Sequence, residues 1–156
     1  MLTAVIGALA VLAGGITTGA FQHLTTNRST RDTRRAEHLA ALVAAVVEYL
    51  QGLLLYRQEQ WLKHATARDG LPDTHDARRA RYEARTRMTG GLDRLYMLTT
   101  NPVLLAAARA ARDAAIAVGD LPTTANATER EAARDESRRT HTALRNAAAH
   151  AIHTHT

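Results

Sequence analysis

Apolar positions along this chain follow two patterns. From Leu2 to Phe21 (LTAVIGALAVLAGGITTGAF) nothing is charged, and the uncharged run continues through Asn27 to Arg28. As a helix, about twenty residues rise roughly 30 Å, the hydrocarbon thickness of a bilayer. Beyond that run, apolar residues recur in steps of three and four, the period of a helix that buries one face. No stretch alternates as a half-buried strand would. The pattern predicts an all-α chain: an N-terminal transmembrane helix, then a small antiparallel helical bundle or a long helical hairpin.

The second helix is expected from about Ser29 to Asp69, capped by Ser29 or Thr30 and stopped at Gly70-Leu71-Pro72. Its apolar face holds Leu39, Leu42, Val43, Val46, Val47, Leu50, Leu53, Leu54, Trp61 and Leu62. The bundle seam is expected along Val43, Val46, Val47, Leu50, Leu53, Leu54 and Trp61, with the lone tryptophan at least partly buried. Between Leu39 and Tyr56 only Glu48 is charged, so a second membrane segment at 39–56 competes with a buried bundle helix. Glu48 and Gln51 in mid-segment favour the bundle, because a charge at a membrane helix centre costs roughly 2.5–3.5 kcal/mol.

Pro72-Asp73-Thr74 opens a third helix to about Thr99, its first half highly charged, its second half carrying Met88, Leu92, Leu95, Tyr96 and Leu98. Gly90-Gly91 marks a kink or a close helix approach. Asn101 reads as an N-cap with Pro102 at the first helical position, opening a fourth helix from Val103 to Val118 that ends at Gly119. After a loop from Asp120 to Ala125, Asn126 and Glu129 have capping-box spacing, and the last helix runs to about Ala151.

Charge fixes the expected topology. Arg28, Arg31, Arg34 and Arg35 follow the uncharged run, against Asp32 alone before Glu37. Basic flanks stay cytoplasmic, so a single pass through the cytoplasmic membrane with the N-terminus outside is expected. A cleaved signal peptide would carry its positive charge on the other side. The division is a transmembrane anchor at 1–24, a basic juxtamembrane segment at 25–38, a cytoplasmic helical bundle at 39–152 and a disordered tail at 153–156. Aromatics make up only 4% of the chain, so the core must come from Leu, Val, Ile and Ala. No cysteine is present, which excludes disulfides and thiolate chemistry.

Candidate chemistry is sparse. Gly15 and Gly19 form a GxxxG on the anchor and share a stripe with Ala8; small residues there let two helices approach, so a homo-oligomer packed through them is expected. Net charge is +5, and every basic residue except Lys63 is arginine. Arg78, Arg81 and Arg85 share a helix face and, with Arg28, Arg31, Arg34 and Arg35, are candidates for lipid or phosphate contact. A solvated helix face is the plainer explanation of the same stripe. DNA binding is not expected, since aromatic interleaving and any DNA-reading motif are missing. His141, His150, His153 and His155 resemble a loose metal site without a carboxylate nearby, so no metal and no cofactor is expected. No phosphate-cradling glycine loop and no nucleophile setting occurs, so no catalytic residue and no enzyme activity is expected.

The uncharged span with GGITTGAFQ from Gly14 to Gln22, the arginine-rich Arg28–Arg35 segment and the Ala/Leu/Arg helices together resemble the KilB family of actinobacterial plasmids and integrated elements. The resemblance is strongest over the first 40 residues. It implies a membrane-associated interaction protein in plasmid spread between neighbouring hyphal compartments, with the bilayer and a protein of a transfer machine as partners. A small membrane-active effector, holin- or toxin-like, is the alternative if 39–56 also enters the bilayer.

Overall fold

A computed structural model of the protein describes residues 2–122 and 124–154, with side chains from residue 30 onward. Four helices follow in order: α1 (Leu2–Arg68), α2 (His75–Leu98), α3 (Pro102–Asp120) and α4 (Ala127–His153). Among the described residues there is no strand. The chain divides into two compact units, Met1–His38 and Leu39–Thr156.

The expected anchor and second helix are one element, α1, and the basic segment at 25–38 is helical. Ser29 and Thr30 lie inside the helix and do not begin one; no glycine or proline interrupts the chain between Phe21 and Gln51. The end of α1 falls where expected. Gly70, at φ +68, occupies the left-handed position, and its N–H bonds Ala67 O while that of Leu71 bonds Thr66 O. That pair of bonds is a Schellman motif, and glycine adopts the required φ without a Cβ penalty.

The other boundaries are set by side-chain caps. Thr74 accepts from Ala77 N at the start of α2, and Asn101 accepts from Val103 N and Leu104 N ahead of Pro102 in α3. Asn126 and Glu129 form the full capping box of α4. α4 continues two residues past Ala151, which is buried, so His150 and His153 are helical.

Within Leu39–Thr156 the helices run up, down, up, down. Gly52 meets the backbone at Met88 and Gly91 meets Tyr49, so α2 is antiparallel to α1. Arg57 bonds Ser137 O and Arg134 lies over Trp61, so α4 is antiparallel too. Tyr49 bonds Ala108 O and His64 bonds Val118 O, so α3 is parallel to α1. α3 packs extensively on α4 and lightly on α2.

The core is built around a different face of α1 from the one expected. Its buried residues are Leu42, Ala45, Val46, Tyr49, Gly52, Leu53, Tyr56, Gln60 and His64. Val43, Val47 and Leu54, placed in the seam by their spacing, are exposed; Leu50 and Trp61 are half-buried. Only Val46 and Leu53 of the expected seam are truly in it. The reason is fit. Gly91 lets the α2 backbone reach Tyr49, and Tyr49 spans to α3, where its hydroxyl donates to Ala108 O at 2.7 Å. A tyrosine so placed is apolar along its length and satisfied at its tip.

Of the two readings of Gly90-Gly91, close approach holds for one residue only. A Cβ on Gly91 would stand 2.9 Å from Tyr49 Cα, whereas one on Gly90 would meet nothing within 4 Å.

Candidate functional site

Arg78, Arg81 and Arg85 lie on successive turns of α2 and converge on one cavity of about 320 Å³. α1 adds Tyr56, Gln60 and Lys63 to its wall, and the end of α3 adds Gly119 and Asp120. The α1–α2 loop contributes Asp73, and Tyr82 stands at the rim, 73% exposed.

Local bonds arrange this wall. One Arg81 Nη donates to both carboxylate oxygens of Asp73, at 2.6 and 2.7 Å. This hydrogen bond above all holds the Asp73 carboxyl below its usual range, with Arg78 and Lys63 adding to the effect. Lys63 Nζ donates to Gly119 O at 2.9 Å, while His64 Nε2 lies 2.9 Å from Val118 O. Those carbonyls belong to the last turn of α3, where the chain leaves acceptors without helical partners. Lys63 and His64 therefore cover the negative end of that helix dipole.

Several groups in the wall remain without hydrogen-bond partners, among them three donors, Arg85, Gln60 and Tyr56. Arg85 makes no ion pair or hydrogen bond. The Gln60 amide is only 6% exposed and the Tyr56 phenol 5%, and neither side chain is hydrogen-bonded. Burial pushes the Tyr56 phenol up from its ordinary value, with Arg85 opposing the shift, so it stays a neutral donor at physiological pH.

A second groove of about 440 Å³ lies between α1 and α4. Leu54, Arg57, Trp61, Arg134, Ser137 and Arg138 form most of its lining. The Arg134 guanidinium sits 5.7 Å from the Trp61 ring centre, within cation–π range. Ser137 Oγ in its wall is buried without a partner, as is Nδ1 of His141 one turn further along α4. Burial lowers the His141 pKa, helped by Arg57 and Arg145, so the ring is kept neutral.

Arg31, Arg34 and Arg35 are exposed on α1. Arg28, Ala8, Gly15 and Gly19 lie outside the residues whose side chains are described. Among the described residues no group of three or more His, Asp or Glu is gathered as metal ligands would be. Glu48, expected to decide between bundle and membrane, pairs with Arg94 of α2 at 2.6 Å, both side chains about half exposed. Over its described part, Thr30–Arg68, α1 is long and apolar enough to cross a membrane, and no other helix among the described residues is.

Helical spacing places the three arginines on one face, and they share one cavity wall. Spacing does not join Lys63, Gln60 and Tyr56 to them, because their register on α1 lies behind the more apolar neighbouring stripe.

The family model of the KilB plasmid transfer protein matches residues 43–152. The chain belongs to the KilB family. The match covers the bundle, from the second turn of its α1 seam almost to the end of α4. It begins after the N-terminal 40 residues, so the matched KilB signature lies in the packed helices and not in the uncharged span. No curated protein and no solved structure matches the chain.

Proposed function

We infer that this KilB-family chain is a single-pass membrane protein that supports plasmid transfer through binding and not through catalysis. Residues 1–24 anchor it with the N-terminus outside, and the helical bundle works on the cytoplasmic side. Family membership over the bundle carries this reading. The uncharged run to Asn27 and the arginines that follow it support the anchor and its orientation. The anchor pairs with a second copy through Ala8, Gly15 and Gly19, and the bundle engages a protein of the transfer machinery. Arg28, Arg31, Arg34 and Arg35 then lie at the headgroup level, where each basic residue adds about 1 kcal/mol of attraction to an anionic leaflet.

The holin- or toxin-like alternative needs residues 39–56 in lipid. Leu42, Val46, Tyr49 and Leu53 are enclosed by the other helices, and Glu48 is paired with Arg94; both observations favour the bundle. Protease mapping of the membrane-embedded chain separates the readings. One protected segment near the N-terminus and release of the rest by deletion of 1–24, with at least a tenfold drop in transfer frequency, is the expected result. A second protected segment over 39–56, or unchanged transfer by the deletion variant, would overturn it.

A further inference from the structure

We propose that the cavity between α1, α2 and the end of α3 is a binding site for a phosphate group, held by Arg85, Lys63, Arg78, Gln60 and Tyr56. The cavity volume, about 320 Å³, lies at the lower end of the ~300–1,000 Å³ range of small-ligand pockets.

The donor inventory points to an anion with several acceptor oxygens. Arg85 has its full fork free. Lys63 spends one of three N–H bonds on Gly119 O. Arg78 is held only loosely, 3.4 Å from Asp73 O and 3.8 Å from its carboxylate. Gln60 and Tyr56, both more than nine-tenths buried, bring an amide and a hydroxyl with no partner in the protein. The polar tips of both side chains keep contact with the cavity, where acceptor oxygens of a ligand would reach them.

Acceptors are scarce by comparison. Both Asp73 oxygens are taken by Arg81, and the α3 carbonyls are taken by Lys63 and His64. Asp120 is the remaining carboxylate in the wall and makes no ion pair. Four cations face two acids, so the field inside favours negative charge. A carboxylate offers two oxygens; a phosphate offers three or four, which suits five donor residues and the affinity of guanidinium for phosphate.

The test is calorimetric titration of the full chain in an uncharged detergent with pyrophosphate. Saturable binding is expected. Arg85→Gln should weaken it at least tenfold, and Tyr56→Phe severalfold. Arg87→Gln removes the same charge from an exposed residue outside the cavity and should leave binding unchanged. Asp120→Asn should tighten binding severalfold by removing the opposing charge. No saturable heat, equal losses in the Arg85 and Arg87 variants, or weaker binding in Asp120→Asn would each overturn the proposal. Glycerol 3-phosphate and dihexanoyl phosphatidic acid distinguish the source. Tighter binding of the lipid, lost in Arg85→Gln, assigns the phosphate to a headgroup; equal binding of the two assigns it to a free metabolite.

Discussion

Two stripes run side by side along the bundle half of α1. Leu42, Val46, Tyr49, Leu53, Tyr56 and Gln60 form one; Val43, Val47, Leu50, Leu54 and Trp61 form the other, a single residue further on. Both step by four and three, and the second is the more uniformly apolar. Yet the first is the core, and Val47 and Leu54 are each 47% exposed. Hydrophobicity says only that a helix has something to bury. Which face is buried depends on what the neighbouring helices can accommodate, and here Gly91, Met88 and Ala108 accommodate tyrosine and leucine at 49 and 53.

Adjacent leucines break the comparison most sharply. Leu53→Asp puts an unpaired charge where the side chain is 1% exposed and should unfold the bundle, at a cost of several kcal/mol. Leu54→Asp and Val47→Asp place the same charge on the open stripe and should change stability by about 0.5 kcal/mol or less. Val47 was a seam position by spacing alone, so its tolerance is the informative half. Circular dichroism melts of the three full-length variants would settle it, and equal loss at 53 and 54 would mean that both stripes are covered in solution.

The neighbouring glycines of α2 should differ in sign. At Gly91 a methyl group would press on the Tyr49 backbone, so Gly91→Ala should destabilise by about 1–3 kcal/mol. Gly90 faces open space in mid-helix, so Gly90→Ala should stabilise by roughly 0.5–1 kcal/mol. Chemical denaturation midpoints measure both. A loss at Gly90 matching that at Gly91 would show that the pair acts as a hinge and not as one contact.

What could be read from the sequence was mostly local. Thr74, Asn101, Asn126 and Gly70 announce helix ends because capping depends on residues within one turn. The convergence of Arg78, Arg81 and Arg85 followed from helical spacing alone. The continuity of α1 is not legible, because Ser29 and Thr30 have the chemistry of caps and yet lie inside the helix. Lys63, Gln60 and Tyr56 could not be joined to the arginines, since α1 meets α2 in a register fixed by Gly52 and Gly91 and visible only once the helices are packed. Seam choice failed for the same reason.

The polar tip of Tyr49 gives the smallest and most diagnostic difference between the stripes, since no residue of the open stripe carries a buried hydroxyl. Tyr49→Phe keeps the ring against Gly91 and removes the bond to Ala108 O, which should cost about 1 kcal/mol near neutral pH. The hydroxyl also leaves a signature in pH. Burial pushes the Tyr49 phenol well above its ordinary value, with Arg112 opposing and Asp113 and Tyr96 adding to the shift. The folded state therefore holds this proton more tightly than the unfolded chain does. That contribution is complete below the unfolded value of about 10 and declines as pH rises from there towards the folded value. Stability of the parent chain should fall across this alkaline range, and Tyr49→Phe should flatten part of the fall; Tyr56, raised in the same direction, contributes to what remains. Tyr82→Phe, at a position 73% exposed, should change neither the neutral stability nor the slope. An unaltered alkaline slope in Tyr49→Phe would mean that the phenol ionises as freely in the bundle as in water, and the seam would have to be redrawn without it.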